Sequence, residues 1–154
     1  MTLTLLEELE DYAYENGIDL LSGTSLSTRK GSCMVMEEQS VIYLNEMRIK
    51  DAPDRTCVLA EEIGHIQTGT LLTCETYLRP ENARCLKRKN ERRAKQWSIR
   101  RLLPHIRIQK ALDSGCRNDY ELAEELQVSE SFLQTAVNYY IGKGIVFTAP
   151  YEEA

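Results

Sequence analysis

No apolar run in this chain approaches the roughly 18–20 residues a membrane span requires, so a transmembrane helix is not expected. The first residues, Met1-Thr2-Leu3-Thr4-Leu5-Leu6-Glu7-Glu8, carry no basic cluster and turn acidic at once, which does not read as a signal peptide. The five cysteines (Cys33, Cys57, Cys74, Cys85 and Cys116) are odd in number and scattered, and none form a C-x-x-C pair. A disulfide framework is therefore not expected; each Cys reads as a small apolar side chain, and a reducing cytoplasm as the compartment. Internal repeats and low-complexity tracts are also missing. From Asn118 to Gly142 there is neither Lys nor Arg, only acids. That segment would repel phosphate, which argues against direct nucleic-acid binding through it.

What is present suits one compact domain, or one domain with a small appendage: 154 residues with net charge −5. The charge is uneven. Residues 81–110 hold eleven Lys or Arg and two acids, Glu81 and Glu91, so the remainder is strongly acidic. Such a basic stripe reads first as a solvated helix face, and second as a contact for nucleic acid or an acidic partner.

Thr4 to Asn16 has the apolar stripe of an amphipathic helix, with Gly17 as its stop. Cys33–Met36 and Ser40–Asn45 read as two strands of a hairpin around Glu37-Glu38-Gln39. Asp51 as a cap and Pro53 in the first turn open a helix that runs through His65 and ends by Gly69. Residues 67–80 look irregular. A long helix is expected from about Glu81 to Leu103, broken by Pro104, then a short one over Ile106–Ser114. Asn118-Asp119-Tyr120-Glu121 has the form of a capping box before Glu121–Leu126, and Ser129 caps a helix from Glu130 to about Ile141. Helix, turn, helix is the outline of that last third.

The chemistry concentrates in Ala60-Glu61-Glu62-Ile63-Gly64-His65. Residues four apart share a helix face, so Glu61 and His65 point the same way with Glu62 beside them. This is the spacing of the zinc-protease helix H-E-x-x-H, with Glu in place of the first His. Two such ligands can grip a cation, and the neighbouring carboxylate can act as general base. Glu62 could ligate in place of Glu61. A third ligand must come from elsewhere, and Glu91, a lone carboxylate among bases, is the candidate that stands out. Ala94 and Ser98, one and two turns further along that face, are small enough to let its helix pack closely on the metal helix. Carboxylate, imidazole and carboxylate form a harder set than a two-His site, so iron, manganese or nickel are alternatives to zinc. No second E-x-x-H exists, which disfavours a di-iron carboxylate site. Tyr77 and His105 are candidates for stabilising an oxyanion, and the spacing selects neither.

Three blocks together resemble the ImmA/IrrE metallopeptidases, especially the short forms carried by prophages and integrative elements. They are Leu59–His65; Asn90–Ser98 continuing through Leu102-Leu103-Pro104; and Tyr120–Leu126 with Val128-Ser129 and Tyr139-Tyr140. They span about two-thirds of the chain in order. The resemblance implies an α+β fold: a minimal zincin-like domain over residues 1–104, with a small antiparallel sheet on the metal helix, then a helical, helix-turn-helix-like subdomain over 105–154. It implies Zn2+, or another divalent metal, on Glu61, His65 and Glu91, with Glu62 catalytic. It further implies site-specific cleavage of a cognate helix-turn-helix repressor, derepressing a mobile element. The alternative is a non-catalytic antirepressor that captures the repressor through the same groove.

Overall fold

The computed structural model describes residues 2–69 and 80–149. Tyr77, Cys74 and most of the irregular segment expected at 67–80 lie outside them. In chain order the elements are α1 (Leu5–Glu15), β1 (Ile18–Gly23), β2 (Gly31–Met36), β3 (Gln39–Asn45), α2 (Ala52–Gln67), α3 (Pro80–Leu102), α4 (His105–Asp113), α5 (Asp119–Leu126) and α6 (Glu130–Gly142). The class is α+β, as expected, with three strands and six helices among the described residues.

Local chemistry sets most boundaries. Thr4 and Glu7 form a reciprocal capping box at the start of α1. The Asp51 side chain accepts from the Asp54 amide to cap α2, with Pro53 in its first turn. Asn118 and Ser129 cap α5 and α6 in the same way. Between those two helices Gln127 takes a left-handed conformation, and its side-chain carbonyl accepts from the Leu5 amide, tying the turn to the start of α1.

The sheet corrects one expectation. It is mixed, not antiparallel, with strand order β1-β3-β2. β2 and β3 form the expected hairpin, but β1 lies on the other edge of β3 and runs parallel to it, from Ile18 opposite Ser40 to Gly23 opposite Asn45. The cause is the path of the chain after β1. Residues 24–30 pass the end of β3 before β2 begins; β2 then runs back, and a tight turn sends β3 forward between the two.

Asn45 holds that crossing in place. Although polar it is 2% exposed. Its Oδ1 accepts from the amides of Ser25 and Met47, and its Nδ2 donates to the carbonyls of Ser25, Ser27 and Arg29. Asn45→Ala is expected to strand several of these partners and destabilise the fold by roughly 2–4 kcal/mol, measured by urea unfolding. A loss below about 0.5 kcal/mol would show that water replaces the side chain without penalty.

One apolar core joins all the elements. Leu9 and Ala13 of α1, Ile42 and Leu44 of β3, and Leu59, Ala60 and Ile63 of α2 are buried together with Ile99 and Leu102 of α3 and Phe132, Leu133 and Ala136 of α6. Helix α2 lies at its centre, packed on α1, α3, β2 and β3. The Tyr140 hydroxyl donates to the Leu103 carbonyl (2.7 Å), which fastens α6 to the end of α3.

Candidate metal centre

The seam between α2 and α3 carries the chemistry. It is narrow because Gly64 faces the backbone of Ala94: a Cβ on Gly64 would stand 2.6 Å from the Ala94 carbonyl oxygen. Ala94 and Ser98 are buried there, as their size suggested. On the other side of α2, β2 begins against the same helix. A Cβ on Gly31 would meet Val58 at 2.8 Å and the Glu62 side chain at 3.2 Å. The Lys30–Asp54 ion pair (2.9 Å) pins the entry to β2 onto the first turn of α2.

Two pairs cross the seam. His65 Nε2 lies 3.4 Å from Glu91 Oε2. One turn earlier on α2, Glu61 Oε1 lies 2.5 Å from Lys95 Nζ, one turn further along α3. Sequence reasoning placed Glu61, His65 and Glu91 around one cation. The structure brings His65 and Glu91 together, and sets the Glu61 carboxylate on Lys95. Among the described residues, no three His, Cys, Asp or Glu side chains form a ready cation cage.

An imidazole nitrogen and carboxylate oxygens are nevertheless donor types that a divalent ion accepts. Glu91 is well exposed, so the pair opens to solvent.

Glu62 is half-buried beside this pair. Burial raises its pKa, opposed by a hydrogen bond from Cys33 and by His65, while Glu61 and Glu91 add to the rise. The Cys33 thiol, on β2, is likewise pushed up, first by burial and then by Glu62. In both groups the charged form is penalised relative to its ordinary cost, in a crowded, carboxylate-rich corner. Cys57, deeper in α2, is raised to about 11, chiefly by burial.

Two participants were not singled out from sequence. Cys33 read as an apolar side chain, yet it faces Glu62; its place on the same strand face as Gly31 was the only signal. Lys95 was one cation among many, though it stands one turn from Glu91 and so shares its face. Of the two oxyanion candidates, His105 packs edge-on against Tyr140 at the start of α4 (5.7 Å between centroids), and Tyr77 lies outside the described residues.

An imidazole and carboxylates from two packed helices, with a further carboxylate beside them, are the donor chemistry of a metal-dependent hydrolase. The family follows. The M78 peptidase model described as the IrrE N-terminal-like domain matches residues 18–138, and the chain belongs to this family of metallopeptidases. The match opens on the first residue of β1 and takes in Glu61, Glu62, His65 and Glu91. It agrees with the ImmA/IrrE resemblance carried by the three sequence blocks. No curated protein and no solved structure matches the chain.

Proposed function

We propose that the protein is a metal-dependent endopeptidase that cuts a cognate helix-turn-helix repressor at one site and so derepresses a mobile element. In this reading Glu61, His65 and Glu91 hold a divalent ion, zinc first, and Glu62 is the general base. Residues 1–104 form the zincin-like catalytic unit, and 105–154 serve as a packing and docking element. The observation that carries the reading is the convergence of His65 and Glu91 from separate helices, in a chain of the M78 family, with Glu62 at their side.

When bound, the ion would polarise the scissile carbonyl and acidify water. The protein's own groups supply the rest. Glu62 takes a proton from the attacking water and returns it to the leaving amine, a task suited to a carboxylate whose pKa is already raised. Cys33, on β2, lies against Glu62 and eases the cost of its ionised form.

The second reading, a non-catalytic antirepressor using the same groove, draws on the Glu61–Lys95 pair, which keeps one proposed ligand engaged. DNA binding has less support. The helices α5 and α6 lack any Lys or Arg, and the densest run of exposed cations lies on α3. No described helix is long and apolar enough to cross a membrane, which is compatible with the cytoplasmic setting this function needs.

The test is co-expression with the repressor encoded beside the gene, followed by incubation of the purified pair with Zn2+. The expected outcome is a single discrete cut that a chelator prevents and His65→Ala abolishes. Derepression with the repressor left intact, insensitive to chelator, would replace the enzyme with the binder.

A further inference from the structure

The two pairs across the seam form two rungs: His65 with Glu91, and Glu61 with Lys95. Each helix supplies one residue per rung, one turn apart. Any cation shared by Glu61, His65 and Glu91 would have to share the Glu61 carboxylate, one oxygen of which already accepts from Lys95. Lys95 is also held from a third element, because its ammonium lies 5.3 Å from the centre of the Phe132 ring on α6. Phe132 is buried in the core, so this position is built into the packing rather than left to a freely swinging surface side chain.

We propose that Lys95 is a tethered cation that competes with the metal ion for Glu61 and thereby sets how tightly the site binds metal. The inference rests on the reading of Glu61, His65 and Glu91 as the ligand set. The charge balance explains why such a residue belongs there. Glu61, Glu62 and Glu91 lie near one imidazole, and a positive charge close to Glu61 offsets part of their repulsion. Lys95 supplies it. The same ammonium opposes metal entry twice, by occupying a ligand oxygen and by repelling a second cation. Losing Lys95 should therefore act in opposite directions: the metal-free protein becomes less stable, and the metal binds more tightly. A lysine with a merely structural role would produce the first effect alone.

The experiment compares wild type, Lys95→Met and Lys95→Arg, with His65→Ala as the ligand control, using the full chain. Zn2+ affinity is measured by competition with a chromophoric chelator, and melting is followed with and without Zn2+. Lys95→Met is expected to bind Zn2+ roughly tenfold more tightly or better, the scale on which a neighbouring like charge shifts a site. Its metal-free melting temperature should fall. Lys95→Arg keeps the charge and should bind like wild type. Lys95→Gln, which retains a donor toward Glu61, stands in if the Met variant does not fold, with a smaller gain in the same direction expected. His65-dependent binding that is unchanged or weaker in the folded neutral variants would overturn the role of Lys95 alone. No His65-dependent binding in any of these proteins would overturn the ligand set as well.

Discussion

Exchanging Glu62 for glutamine is expected to slow repressor cleavage by about a hundred- to ten-thousandfold, the range a positioned general base contributes, while Zn2+ stays bound. The amide has the shape of the carboxylate and can still accept a hydrogen bond from Cys33, but it cannot take a proton from water. The fold should not suffer. Burial penalises the ionised form of Glu62, so its pKa is raised and the folded chain keeps that proton to higher pH than the unfolded chain does. Wild type therefore loses stability relative to Glu62→Gln as pH rises out of the acid range, because the unfolded chain ionises first. Cleavage on gels, metal stoichiometry and melting at two pH values together check the claim. Unchanged cleavage would remove Glu62 from the chemistry. Full derepression by the mutant without any cut would favour capture over hydrolysis.

How much of this was legible beforehand depends on how far apart in sequence the partners lie. Helix α2 could be read closely, because its signals are local: the Asp51 cap, Pro53 and the spacing of Glu61, Glu62 and His65. The β2–β3 hairpin was legible for the same reason. β1 was not. Ile18-Asp19-Leu20-Leu21-Ser22-Gly23 lacks strict alternation, and its partner β3 is joined to it only through a crossing loop and another strand. The parallel sense of that pairing is therefore a tertiary fact, held by buried Asn45, which no local pattern announces. The meeting of His65 with Glu91 was anticipated from residue type and family resemblance. The meeting of Glu61 with Lys95 was not, since α3 carries many cations and only the closeness of the two helices selects one. That closeness depends on a single residue.

Gly64→Ala is expected to cost about 2 kcal/mol or more in urea unfolding, against the gain of roughly 1 kcal/mol that alanine ordinarily brings to a helix interior. The added Cβ would fall 2.6 Å from the Ala94 carbonyl oxygen, 3.2 Å from its carbonyl carbon and 3.3 Å from its Cα. These are backbone atoms of a helix, which cannot turn aside as a flexible side chain would, so α3 itself must move. Both rungs of the seam then lengthen: His65 moves from Glu91, and Glu61 from Lys95. A displacement of about 1 Å is enough to lower an enzymatic rate some hundredfold, so cleavage should fall with stability. The geometry also says what cannot repair the damage. Ala94→Gly removes only the Ala94 methyl, whereas the three contacts fall on its carbonyl and Cα, so the double variant should remain destabilised. A Gly64→Ala protein as stable as wild type, with His65-dependent Zn2+ binding intact, would mean that α3 does not lie against Gly64. The pairing of His65 with Glu91 would then lose its structural basis.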